Sequence, residues 1–214
     1  MVDLRNFLRN TDYPTDQIVG FLKGEVTVPN NDFRTVDFPH PLGVKVLPVS
    51  SWSPTADFDI SYPAIPDLVG NGARPSVAIQ ANESVVRVVV TNFTGAARTI
   101  HWRSFFLLPS NVDPDVEPTA ILSLPLTYST DYNYRKLFKE DYVTSSQTIA
   151  HDLNYRPQVK LWGQYANGFI GEYIASDAYP TPTSDSAEVT TSSLILGLRG
   201  TYAGIHYRIY GDQQ

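Results

Sequence analysis

The chain has 214 residues, with 22 Asp and Glu against 16 Lys and Arg, a formal net charge of −6, 42% hydrophobic residues and no cysteine. That balance excludes wrapping of a nucleic-acid backbone, which needs clustered cations to displace counterions. The missing thiols exclude a disulfide frame, a thiolate nucleophile and a cysteine-ligated zinc.

At the start, "MVDLRNFLRN" places Leu4, Phe7 and Leu8 at helical i, i+3, i+4 spacing, but the segment is too short to be a stable free helix. It reads as an arm that needs a neighbouring surface. It lacks a signal-peptide apolar core, and no later stretch approaches the roughly 18 apolar residues of a membrane span. Neither secretion nor membrane insertion is expected.

Sixteen prolines and 13 glycines, set among Val, Thr, Tyr and Ile, favour short strands and many turns. "GEVTVP" (24–29) and "VKVLPVSSW" (44–52) read as strands, and His40, two residues before Leu42, stands where an imidazole can bond a turn backbone. The loop 53–75 carries Phe58 and Tyr62; its Asp57, Asp59 and Asp67 are too irregularly spaced for a calcium loop. Segments 84–92 and 98–106 flank the turn signal Asn92-Phe93-Thr94-Gly95 and predict a hairpin. Asn82 and Asn92 fit the glycosylation pattern, which is expected to go unused without a secretion signal.

Residues 109–126 carry Pro109, Pro114, Pro118 and Pro125 with acidic neighbours and read as a semi-rigid linker. Beyond it, "DYVTSSQTI" (141–149) and "PQVKLWGQY" (157–165) predict strands, and His151 precedes Leu153 as His40 precedes Leu42. The loop 163–188 bears Tyr165, Phe169, Tyr173 and Tyr179, and "SLILGLRGTYAGIHYRIY" repeats the hairpin plan around Arg199-Gly200-Thr201.

The two halves match phrase by phrase. "NTDYPTDQIVGFLKGEVTV" resembles "STDYNYRKLFKEDYVTSSQTI"; Trp52 follows His40 by 12 residues and Trp162 follows His151 by 11; "TIHWRSFF" (99–106) returns as "GIHYRIY" (204–210). The expectation is an all-β chain of two tandem antiparallel β-sandwich modules related by internal duplication, 1–108 with the arm and 127–214 beyond the linker, with Trp52 over Trp162 and His101 over His206.

Residues two apart on a strand share a face. Ile100, Trp102 and Ser104, like Ile205, Tyr207 and Ile209, form the predicted core face. The opposite stripes, His101-Arg103-Phe105 and His206-Arg208-Tyr210, are predicted to face outward as interface residues. His and Arg can serve as general base and anion clamp, but no catalytic triad order, phosphate loop or metal-ligand spacing accompanies them. No catalytic residue, metal or cofactor is expected, and the chain is not read as an enzyme.

"TIAHDLNYRPQVKLW", "NFLRNTDYPTDQIV" and the closing "YRIYG" resemble small β-rich structural proteins of the tail and virion gene clusters of tailed bacteriophages and prophages. The first copy departs from the pattern, with "HPLGVKVLP" where the second has "HDLNYRP". The resemblance implies a non-enzymatic virion or tail component assembled in the bacterial cytoplasm, whose partners are other virion proteins. The residues themselves point to a homo-oligomer, a trimer or hexamer, because aromatic and Arg residues are enriched in interfaces. The alternative is a recognition protein that binds a host-surface glycan or protein through Phe58, Tyr62, Tyr165, Phe169, Tyr173 and Tyr179.

Overall fold

The computed structural model describes residues 18–64, 74–108, 136–173 and 185–211. Leu4, Phe7 and Leu8 of the arm, the linker 109–126 and Tyr179 lie outside them. The described residues form β1 (Ile18–Val28), β2 (Asp32–Pro39), β3 (Leu47–Ser53), β4 (Tyr62–Pro63), β5 (Ser76–Ala81), β6 (Val85–Asn92), β7 (Arg98–Leu107), β8 (Lys136–Val143), β9 (Gln147–Ala150), β10 (Gln158–Gln164), β11 (Ile170–Tyr173), β12 (Ser186–Val189), β13 (Ser193–Gly197) and β14 (Gly204–Gly211). The fold is all-β and its strands pair antiparallel.

The chain divides into two compact units. In the first, one sheet runs β1-β7-β3-β4 and a second runs β2-β6-β5-β11. Val26, Ile100, Trp102 and Phe106 of the first sheet share a buried core with Val77, Ile79, Val86, Val88 and Val90 of the second. Strict alternation on β6 and β7 produces this two-layer packing, because every second side chain of each strand faces the other sheet. Trp102 lies over Gly24, its partner across the ladder; a Cβ there would come within 3.0–3.1 Å of the indole, so the glycine makes room for the ring. Ser50 and Ser104, also on the core face, satisfy each other at 2.8 Å.

The second unit contains β8-β14-β10 and β9-β13-β12. The pairing order β8-β14-β10 is like that of β1-β7-β3, and β9-β13-β12 like that of β2-β6-β5; β4 and β11 of the first unit have no match within the second. Ile100, His101 and Trp102 pair with Val26, Glu25 and Gly24, while Ile205, His206 and Tyr207 pair with Val143, Tyr142 and Asp141. The small turns match as well. Asn82 Oδ1 accepts the N–H groups of Ser84 and Val85, both at 2.9 Å, and Thr190 Oγ1 accepts those of Ser192 and Ser193 at 3.2 and 2.8 Å. The His40 N–H donates to Ser84 O at 2.8 Å, and that of His151 to Ser192 O at 2.9 Å.

Both imidazoles bond turn backbone, as their positions before Leu42 and Leu153 imply: Nδ1 of His40 and of His151 accept the N–H two residues on, at 3.4 and 3.3 Å. The remaining nitrogen, Nε2, of His40 then carries the proton and donates to Asn82 O at 3.0 Å. Burial holds the His40 pKa below its ordinary value, against the opposing pull of the Asn82 carbonyl. The unfolded chain therefore binds the proton first as pH falls, and His40 contributes less stability below the ordinary histidine value than above it.

Three expectations need correction. Segments 84–92 and 98–106 are strands, but not a hairpin: β6 pairs with β2 and β5, while β7 pairs with β1 and β3. The turn instead carries the chain from one sheet to the other. It is anchored by buried Asn92, whose Nδ2 lies 2.9–3.0 Å from the carbonyl oxygens of Val28, Pro29 and Ala96. The matching 193–197 and 204–211 strands also pair elsewhere.

Trp52 is not the counterpart of Trp162. Trp52 pairs with Trp102, but Trp162 pairs with His206, so the residue in the place of Trp162 is Ser53 and that of Trp52 is Leu161. A one-residue difference in spacing moves a side chain to the opposite face. Finally, β11, which lies in the 127–214 half of the sequence, belongs to the first unit, where Ile170 and Gly171 pair with Ala81 and Gln80.

Candidate functional site

The outer face of β1-β7-β3 collects the first predicted stripe. Cross-strand partners share a face, so Phe105 has Phe21 and Val49 beside it, Arg103 has Lys23 and Ser51, and His101 has Glu25 and Ser53. Phe21 and Phe105 meet at 4.9 Å between ring centroids. Arg103 Nε donates to Ser51 Oγ at 3.0 Å and its guanidinium lies 4.5 Å above the Phe58 ring. His101 Nδ1 stands 3.5 Å from a Glu25 carboxylate oxygen. His101, Arg103 and Phe105 are half-buried, and Trp102 between them is fully buried, so the predicted faces hold in this unit.

Phe58 reaches Arg103 from a backbone conformation with φ +59, in the left-handed region that a bulky side chain rarely occupies. Its N–H donates to Thr55 O at 3.3 Å, which closes the turn that presents the ring. The price in local strain is of order 1–3 kcal/mol and persists only because surrounding contacts hold it.

The second stripe has a different environment. His206, Arg208 and Tyr210 are buried, contrary to the expectation of an outward face. Arg208 is 4% exposed, donates from Nε to Glu140 Oε2 at 2.6 Å, and has its guanidinium 5.8 Å from the Trp162 ring centroid. His206 Nε2 is 3.2 Å from Gln164 Oε1, and its ring lies 4.4 Å from Tyr142. The register shift explains part of the difference: it places Trp162 on this face, where the first unit has Ser53. Of the two stripes, only His101-Arg103-Phe105 forms a partly open surface.

The aromatic loop residues are drawn into structure. Tyr62 is on β4 with its ring tilted against Trp52 at 4.8 Å between centroids, and the Arg74 guanidinium lies 4.8 Å from its ring centroid. Tyr165 packs edge-on against Tyr202 at 4.9 Å. Phe169 is buried beneath Arg87, 4.1 Å from its guanidinium, and Arg87 forks onto Asp37 with both bonds at 2.7 Å. That fork holds the Asp37 carboxyl below its ordinary pKa. Tyr173 is on β11 and half-buried.

One signal joins these aromatics. Phe58, Tyr62 and Ala64 have the spacing of Phe169, Tyr173 and Ala175, and each set follows its Trp-bearing strand. Comparing the two loops position by position would have marked β4 and β11 as counterparts. Sequence reasoning named none of the large apolar side chains that the described residues leave exposed, Phe33, Ile60, Phe93, Phe138 and Ile195, as surface residues.

No protein-family model matches the chain, and neither a curated protein nor a solved structure does.

Proposed function

We propose that the chain is a non-enzymatic structural or adaptor component of a phage virion or tail, built from a duplicated β-sandwich module and working in multiple copies. The observation that carries this reading is the outer face of β1-β7-β3. There Phe21, Val49 and Phe105 lie beside Arg103 and His101, all half-buried, with exposed Lys23 and Glu25 alongside. An aromatic and arginine centre bordered by charge is the composition of a protein-binding patch.

The same contacts favour binding over chemistry. Arg103 is oriented by Ser51 and Phe58, and among the described residues His101 faces one carboxylate, that of exposed Glu25. A general base needs a second group to orient it and a cleft that keeps water out. Glycan recognition draws less support, because Phe58, Tyr62, Tyr165 and Phe169 already have ring contacts inside the protein.

A mass-spectrometric inventory of phage particles purified from the host that carries the gene tests the proposal. The chain is expected among the particle proteins at several copies per particle. Its absence from particles, with free protein present in the same lysate, would overturn the virion reading.

A further inference from the structure

One strand of the first unit comes from the far half of the sequence. β11 follows β10 and precedes β12, both of the second unit, yet it joins the sheet of the first, where Ile170 and Gly171 pair with Ala81 and Gln80 of β5. The Asn82 N–H points to Val85 O on β6, so by the alternation of an antiparallel ladder Ala81 turns its own backbone N–H and C=O towards β11. Ile170 and Ala81, side by side, are both fully buried. On the other face, Gly171, Gln80, Arg87 and Asp37 form one row across β11, β5, β6 and β2. Gly171 brings no side chain to that row, and Phe169, two residues before it, lays its ring centroid 4.1 Å from the Arg87 guanidinium that Asp37 holds. The β5 edge is therefore a strand acceptor that reads backbone, an apolar residue towards the core and an aromatic ring beneath an arginine.

The donor segment hangs on a short connection. Residues 165–168 alone separate β10 from Phe169. Gly168 turns there with φ +84, which glycine tolerates, and exposed Asn167 accepts the Phe169 N–H at 3.2 Å. The other connection between the two units runs through residues 109–135 and carries Pro109, Pro114, Pro118 and Pro125. A proline-stiffened connection lowers the effective concentration of a tethered strand at its own acceptor.

We propose that β11 is exchanged between copies, so that the β5 edge of one chain receives Phe169, Ile170 and Gly171 of the next. This deepens the assembly reading above and rests on it. The occupant is the segment already seated on this edge, and only the chain that supplies it changes. Because the strand contacts are the same in the closed and the exchanged forms, the connections set the balance. A short turn and a stiff linker disfavour closure within one chain, and a second copy competes for the edge as concentration rises.

Each chain gives one β11 and accepts one, through different surfaces. The contact is therefore heterologous, and it closes into a ring when the rotation allows.

The natural absence of cysteine permits a direct test. Ala81→Cys and Ile170→Cys lie directly opposite each other on neighbouring strands, within reach of a disulfide. Placed in one chain, folded at high protein concentration and mildly oxidised, the pair is expected to join chains to one another, giving species of two or more chains on a denaturing gel. A disulfide confined within single chains would overturn the exchange, and so would the lack of any disulfide in a folded protein. Should the cysteine pair fail to fold, a Gly-Ser-Gly-Ser insertion after exposed Asn167 decides, because it lengthens the short connection without touching a packed side chain and so favours closure. Light scattering should show this variant shifted from the wild-type multimer towards the mass of one chain. An unchanged multimer would overturn the exchange and leave the assembly reading standing. If the wild-type chain is itself a monomer, both fail.

Discussion

Trp102→Ala should destabilise the first unit by about 3–5 kcal/mol, the range for removing a large buried aromatic. Trp102 is fully buried, lies over Gly24 and packs against Phe38 at 4.8 Å, so nothing nearby fills the space that alanine leaves. The neighbouring Arg103→Ala should lose about 1 kcal/mol or less, because its guanidinium is on the half-open face and water replaces its contacts. Trp102→Phe should fall well below the alanine loss. It keeps a ring over Gly24 and removes an indole N–H that is buried without a hydrogen-bond partner among the described residues. Urea denaturation of the three variants checks the order. Equal losses at Trp102 and Arg103 would mean that the faces of β7 are reversed.

Arg208→Ala should be far more damaging than Arg103→Ala, although the two residues occupy the same place in the repeated phrase. Arg208 is almost wholly buried and bonds Glu140 at 2.6 Å, and removing one member of such a pair leaves a poorly solvated charge. Breaking a buried pair typically loses about 3–5 kcal/mol; the Glu140 side chain keeps 23% exposure, which places the expectation near the lower end, about 3 kcal/mol. Adding Glu140→Gln to Arg208→Met should recover part of the loss, since the methionine fills the volume and the amide carries no charge. A double-mutant cycle by urea denaturation measures the coupling. An Arg208→Ala loss no larger than that of Arg103→Ala would place Arg208 on an open surface.

These two arginines show what the sequence could and could not tell. Alternation along 98–107 is a property of one strand, and it assigns Trp102 and Arg103 to their faces correctly. What covers a face depends on other strands, and "HYRIY" contains no sign that its polar stripe is buried. The hairpin at Asn92 fails for the same reason. Its turn residues mark a reversal of the chain, but the reversal leads into the facing sheet, which Asn92 reveals only through its bonds to Val28, Pro29 and Ala96. The spacing difference of one residue before Trp162 is visible in the sequence, yet it becomes a change of face only when His206 is known as its partner. Of the predicted interface, His101, Arg103 and Phe105 remain as a partly open surface.

The central claim is that this protein works as an assembly of its own copies, and its mass in solution tests that most directly. Multi-angle light scattering across a dilution series of the full chain should give a species of three or six times 23.8 kDa that dissociates only at low concentration. A species of 23.8 kDa at every concentration would contradict the account.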